Sequence, residues 1–272
     1  MNRIPLLSAA LITRNEEDNL RELLPRLGWT GEVVVVDSGS TDGTVEVARS
    51  HGCRVAIHEF DTFARQRNRA LGLARGDWVF SLDADERPTA RLVVEMRRAI
   101  GNPRYAAWRV PIRSEILGRR VRRGGTQDDR PVRLFRRRAG RWRGDVHETL
   151  AVAGRIGSLA GWLEHRTLPT QGALLEKIDR YTRLEAQGRV RAGQPPRRGD
   201  AVVLPIREVF RRLIYKFGAL DGPVGWQFAL WSGYSQWVLA RRHWQLWHEQ
   251  PGAIRQPSAA PHPRLADINH VC

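Results

Sequence analysis

Trp78-Val-Phe-Ser-Leu-Asp-Ala-Asp-Glu-Arg-Pro88 is the stretch on which the fold turns. Its apolar start has the length and bulky residues of a buried central strand, and it stops at two carboxylates spaced one residue apart. In open α/β sheets ligands gather beyond the carboxyl ends of such strands, so Asp83 and Asp85 fall where a site is expected. Side chains two apart on an extended segment point the same way. Both acids can then face one hard cation, Mg2+ or Mn2+, whose shell is completed by water and substrate phosphates. The simpler reading makes Asp85 the cap of a helix starting near Pro88 and Asp83 a solvated loop acid.

Upstream, Ser8 to Thr13, Glu32 to Asp37 and Arg54 to His58 read as strands. Between them lie an amphipathic helix through Leu20 and Leu27, its start signalled by Asn15 and first-turn acids, and a second helix ending near His51. A third helix, Phe63 to Ala74, carries Arg65, Arg67 and Arg69. Strands alternating with helices predict a mostly parallel, Rossmann-like α/β sheet with helices on both faces. The strand ends collect Thr13, Asn15 and Glu16, then Asp37, Ser40 and Asp42, then Asp83 and Asp85, three polar clusters on one edge that define a single site. The Gly39 and Gly43 loop matches neither G-x-G-x-x-G nor a Walker loop, and its acids would repel phosphate. Carboxylates there suit ribose hydroxyls or a base edge.

Leu11-Ile-Thr-Arg-Asn-Glu16, Val33-Val-Val-Val-Asp-Ser-Gly-Ser-Thr-Asp-Gly-Thr44 and Phe80-Ser-Leu-Asp-Ala-Asp-Glu86, in this order and spacing, resemble the nucleotide-binding half of a family 2 glycosyltransferase of the GT-A fold. The resemblance implies a nucleotide-sugar donor contacted at its nucleoside by Glu16 and Asp37. Thr13, Asn15, Ser40, Asp42, Arg67 and Asp83 complete the implied donor site, and Asp83 with Asp85 would hold a divalent cation, Mg or Mn, on the diphosphate. It also implies inversion at the anomeric carbon in a single displacement. Pro131-Val-Arg-Leu-Phe-Arg-Arg through Val146-His-Glu148 resembles the subgroup that adds glucose to the lipopolysaccharide inner core, which implies UDP-glucose as donor and a lipid-linked saccharide as acceptor. A carboxylate must then take the acceptor hydroxyl's proton; Glu148 is the candidate, with Asp128 and Asp129 as rivals. His147 is either a metal ligand or structural.

With 272 residues and 42% hydrophobic content, the chain has material for a sizeable core. The expected division is residues 1–102 and 103–170 as donor and acceptor halves of one domain, 171–250 as a helical lobe, and a disordered tail over 251–272. The net charge of +16 comes almost wholly from arginine, since the lysines are Lys177 and Lys216, and it implies an anionic partner. Thirteen arginines lie between Arg109 and Arg143, either as a solvated face or as phosphate ligands. A nucleic-acid-binding protein is the reading that charge alone favours, but carboxylates lining the main cleft would repel a phosphate backbone, so no nucleic-acid partner is expected. A sugar-1-phosphate nucleotidyltransferase would open with a basic glycine-rich loop, whereas Thr13-Arg-Asn-Glu-Glu17 is acidic.

Cys53 and Cys272 make no disulfide framework, and the first residues lack an apolar signal segment, so a cytoplasmic protein is expected. Gly222 to Ala240 runs nineteen residues without a charge, yet Pro223, three glycines and two glutamines suit an interfacial helix better than a spanning one. Arginines interleave with aromatics from Leu204 to Trp247, which fits helices lying on an anionic membrane surface, peripheral to the inner face of the cell membrane, or a helical pair packed on the core. Lys216-Phe-Gly-Ala-Leu-Asp-Gly222 resembles a segment near the end of the same lipopolysaccharide subgroup.

Overall fold

Val34, Val35 and Val36 show how the sheet is built: alternate residues enter two separate cores on its opposite faces. They belong to β2 (Glu32–Asp37), which pairs in parallel with β1 (Leu7–Thr13) and β3 (Arg54–Ile57), while β1 pairs in parallel with β4 (Trp78–Ser81). Leu11, Val35 and Phe80 pack on one face with α1 (Glu17–Leu23), α2 (Thr44–Ser50) and α4 (Ala90–Ala99). Ala10, Val34 and Val79 pack on the other with α3 (Phe63–Leu73). The expected mostly parallel sheet with helices on both faces is therefore present.

The computed structural model describes residues 6–116, 118–126, 130–144, 148–167 and 171–249. The tail from Pro251 lies outside them. Beyond α4 the sheet gains β6 (Ala107–Arg109), β9 (Val132–Arg136) and β12 (Ile156–Ser158), giving seven strands in the order β12-β6-β9-β4-β1-β2-β3. Strand β9 is antiparallel to both neighbours, β4 and β6. Its register sets Leu134 against Phe80, so β9 runs back past the end of β4. A hairpin of β10 (Gly140–Arg143) and β11 (Thr149–Val152) follows, and β5 (Glu86–Pro88) pairs antiparallel with β13 (Leu163–Thr167).

Two local expectations need correcting. Asn15 does not cap α1; Glu16 occupies that position, while Asn15 takes a left-handed conformation with φ 55° and turns its side chain to the next loop. Asp85 does not cap α4 either. Thr89 does, its hydroxyl accepting from the Leu92 amide, and a short strand intervenes.

Residues 6–112 and 130–165 form one compact unit, and 113–126 and 166–249 another. The second holds α5 (Gln171–Arg191), α6 (Asp200–Phe210) and α7 (Pro223–Glu249), with a π-helical turn at Arg211–Tyr215. The composition of Gly188 to Gly199, with Pro195-Pro196, predicts a flexible linker, but helix α5 runs into it to Arg191, since Gly188 is tolerated inside a long helix packed against α7. Among the described residues no helix is long and apolar enough to cross a membrane.

Candidate active site

Three strand ends converge at one edge of the sheet. Thr13 and Asp37 are register partners on β1 and β2, and the Thr13 hydroxyl donates to Asp37 at 2.9 Å. Asp37 is fully buried. Its carboxylate also accepts from the amides of Gly39 and Ser40, at 3.0 and 2.8 Å, and from the Ser40 hydroxyl at 2.6 Å. Four donors on one carboxylate fix the loop that follows β2.

That loop is tied in turn to the end of β1. The Asn15 amide donates to the Ser40 hydroxyl at 2.8 Å, and the Thr41 amide donates to the Asn15 side chain at 2.8 Å. The amides at the start of α2 are capped by acids: Gly43 donates to Glu17 and Thr44 to Asp42. The Glu16 amide donates to the Thr44 hydroxyl, and its side chain accepts from Asn19. Carboxylates occupy this helix start, as its acidic sequence implied, and leave no cradle there for phosphate. Asn15, Glu16, Ser40 and Asp42 keep exposed or half-buried surface around it.

The D-x-D stretch is held by charges from distant parts of the chain. Arg67, on α3, donates to Asp83 at 2.7 Å, to the Ser81 hydroxyl at 3.3 Å and to Glu148 at 3.2 Å. Its guanidinium carbon lies 5.0 Å from the ring centroid of Trp142. Arg133, carried past β4 by the antiparallel register of β9, donates to Asp83 at 3.0 Å and to Glu86 at 2.5 Å. The Asp83 amide donates to the other oxygen of Glu86 at 2.9 Å. Burial works against the charge on Asp83, but Arg67 and Arg133 override it and hold this carboxyl well below the ordinary range. Glu86 is 1% exposed; burial pushes its carboxyl up to about 7, the Asp83 charge adds to the rise, and Arg133 opposes it.

Asp85 meets the edge of this network through an imidazole, whose charge also acts on Asp83 and Glu86. Its carboxylate is 3.0 Å from Nε2 of His165, which the β5–β13 pairing brings opposite Glu86. The two acids of D-x-D are thus differently engaged, Asp83 by arginines and Asp85 by an imidazole. Among the described residues no group of three or more His, Cys, Asp or Glu side chains gathers as a metal cluster.

The expected donor-side residues therefore fall on one edge, and Glu148 joins them from beyond β10 through Arg67. Asp128, Asp129 and His147 lie outside the described residues. The sequence reading missed Glu86, Arg133, His165 and Asn68. Asn68 holds Trp142 from both sides, donating to its carbonyl at 2.9 Å and accepting from its amide at 3.0 Å. Glu86 and Arg133 sat inside quoted motifs as a buried acid and a strand arginine; nothing local marked His165 or Asn68.

Residues 8–155 match the family described as glycosyl transferase family 2. A lipopolysaccharide core biosynthesis glycosyltransferase, LpsC of Rhizobium meliloti (strain 1021), is 30% identical over 231 residues, covering 79% of this chain and 84% of that protein. An uncharacterized glycosyltransferase of Rickettsia typhi is 25% identical over 202 residues, 69% of each chain. Among solved structures, the mannosyltransferase PcManGT from Pyrobaculum calidifontis, in complex with GDP-Man and Mn2+, has a TM-score of 0.53 at 17% identity, covering 91% of this chain and 89% of that one. The fold is GT-A, and the chain belongs to glycosyl transferase family 2, a family of enzymes.

Proposed function

We propose that this enzyme transfers a hexose, glucose, from UDP-glucose to a lipid-linked saccharide such as the lipopolysaccharide inner core, with inversion at the anomeric carbon. The observation that carries the reading is the bridge from Asp83 through Arg67 to Glu148, which joins a donor-side carboxylate to a candidate base through one guanidinium. The relative named for lipopolysaccharide core biosynthesis supports the acceptor class. Residues 1–102 are assigned to the donor and 103–170 to the acceptor.

In this reading Asn15, Glu16, Ser40 and Asp42 surround the nucleoside. Asp37, expected at the nucleoside, is fully buried among four donors, so in this reading it acts with Thr13 from behind, fixing the loop that carries Ser40. Arg67 and Asp83 face the diphosphate. Glu148 takes the proton of the acceptor hydroxyl as its oxygen bonds to the anomeric carbon and the bond to the diphosphate oxygen breaks. Arg67, with Trp142 stacked on it, fixes where Glu148 stands and offers positive charge near the departing diphosphate.

The cation expected on Asp83 and Asp85 is assigned in this reading to Asp85 with His165, because Asp83 is held by Arg67 and Arg133 while a carboxylate oxygen of Asp85 and an imidazole nitrogen converge to 3.0 Å at the D-x-D edge. The solved mannosyltransferase complex with Mn2+ supports such an ion, and the imidazole, softer than oxygen, favours Mn2+ over Mg2+. When bound, the cation supplies charge that stabilises the leaving diphosphate. The acceptor's lipid anchor draws the enzyme to the anionic inner face of the cell membrane. Calorimetry of UDP-glucose, UDP-galactose and ADP-heptose with and without Mn2+, on wild type and on Asp85→Ala, tests the reading. Metal-dependent binding of UDP-glucose, lost in the variant, is expected; equal binding of UDP-glucose by both proteins would remove Asp85 from the site.

A further inference from the structure

Helices α6 and α7 carry their apolar residues on the outside. On α7, Trp226, Leu230, Tyr234, Trp237 and Trp244 recur at spacings of four, four, three and seven residues, and each is exposed. That spacing makes a single stripe along the helix. Ile206 and Phe210 on α6 continue the apolar surface and are 64% and 62% exposed. Between the helices runs an open groove of about 770 Å3 lined almost wholly by apolar side chains of α6 and α7. The helices approach closely here: a Cβ on Gly233 would lie 2.6 Å from Val209 and 3.3 Å from the Pro205 carbonyl.

The exposed charge beside the middle of this surface is positive. Arg207 and Arg241 are exposed, and Arg241 lies 5.1 Å from the ring centroid of Trp237. The acids of the same stretch are withdrawn. Glu208 is buried and paired with Arg211 and Arg212, Asp221 is buried against Arg123, and Asp200 and Glu249 stand at the ends of the segment. Exposed aliphatics with tryptophan, tyrosine and arginine in one stripe are what a bilayer interface selects, with apolar groups among acyl chains and cations at anionic headgroups. No helix among the described residues is long and apolar enough to cross a membrane.

We propose that the α6–α7 groove is a membrane-insertion face that takes acyl chains of an anionic bilayer. This deepens the membrane-side part of the function proposed above and rests on it. The test is flotation of the full chain with phosphatidylcholine vesicles, with and without phosphatidylglycerol, in parallel with calorimetry of UDP-glucose and Mn2+ in the absence of lipid. Wild type is expected to float with the anionic vesicles. The double variant Ile206→Ser, Phe210→Ser is expected to lose roughly a hundredfold in apparent vesicle affinity, since two side chains no longer leave water. Arg207→Gln with Arg241→Gln is expected to lose roughly fivefold per arginine, and only on the anionic vesicles.

Thermal melts follow both variants; the altered side chains are solvent-exposed, so their folds are expected to hold. Should the serine variant misfold, Leu230→Ser with Tyr234→Ser gives the same reading from α7. Wild type that ignores anionic vesicles yet binds donor overturns the insertion face and leaves the transferase reading standing. Flotation without donor binding supports the face and sinks the donor assignment. A dimer in sedimentation velocity that the serine substitutions split, with no vesicle binding, identifies a second copy as the occupant and overturns the proposal.

Discussion

Replacing Arg133 with methionine probes the buried charges behind the D-x-D edge. Arg133 is 5% exposed and is shared by Asp83 and Glu86; Asp83 keeps Arg67 after the substitution, whereas Glu86 loses the cation that opposes its burial. Breaking a buried ion pair on one side costs about 3–5 kcal/mol. The proton sets when that cost applies. The folded Glu86 carboxyl titrates near 7 against an ordinary 4.5, so below 4.5 its contribution to stability is fully present, and it is lost as pH rises through 7. At about 1.4 kcal/mol per unit, wild type is expected to lose up to about 3 kcal/mol from this group across that window. Asp83 runs the other way: its lowered carboxyl contributes above the ordinary 3.8 and fades only in stronger acid. Near pH 5 Glu86 is protonated in both proteins, so Arg133→Met should cost only about 1–2 kcal/mol, chiefly the second hydrogen bond to Asp83. Near pH 8 it should cost about 3–5 kcal/mol. Urea unfolding of both proteins at the two pH values reads the difference directly, from midpoints at constant m. The double variant Glu86→Gln, Arg133→Met should lose the pH dependence. A cost that is equal at both pH values would refute the reasoning.

Glu148→Gln should lower the transfer rate about 10²- to 10⁴-fold with UDP-glucose affinity unchanged by calorimetry, and near-full activity would remove it as the base. Asn68→Ala removes two hydrogen bonds that hold the Trp142 backbone; we expect about 1–3 kcal/mol lower stability in urea and a drop in kcat larger than any rise in KM, with Asn68→Asp restoring part of the stability. His165→Ala should raise the Mn2+ concentration needed for half-maximal donor binding about 10- to 100-fold, with wild-type binding recovered at saturating metal; an unchanged metal requirement in calorimetry would leave Asp85 without His165 as partner.

What the sequence made legible followed its periodicity. Glu32 to Asp37 was bounded correctly because a run of four valines between polar residues has one stable home, a strand buried on both faces. The same local reasoning failed at Asn15, where a good cap residue takes a left-handed conformation and spends its side chain on the Thr41 amide. Cap preference is a statement about neighbouring residues. The competing partner lay twenty-six residues away, in the loop after β2.

Two of the long-range contacts at the site, those of Arg133 and His165, follow from antiparallel registers, and no local pattern encodes either. Arg133 reaches Glu86 because β9 runs against β4, so Arg133 follows Leu134 past Phe80 toward the strand's acidic end. In a purely parallel sheet the same residue would point to the opposite edge. His165 reaches Asp85 because β13 returns beside β5 with His165 opposite Glu86. A shift of one residue in either register would reverse which face these side chains occupy, removing the cation from a buried acid or the imidazole from the D-x-D pair. The buried Arg133–Glu86 pair also resists such a slip, since any other register leaves both charges without their partner. The charges behind the site therefore act on register as well as on chemistry: they hold β9 in the one alignment that keeps Asp83 between two arginines and leaves Arg67 able to reach Glu148.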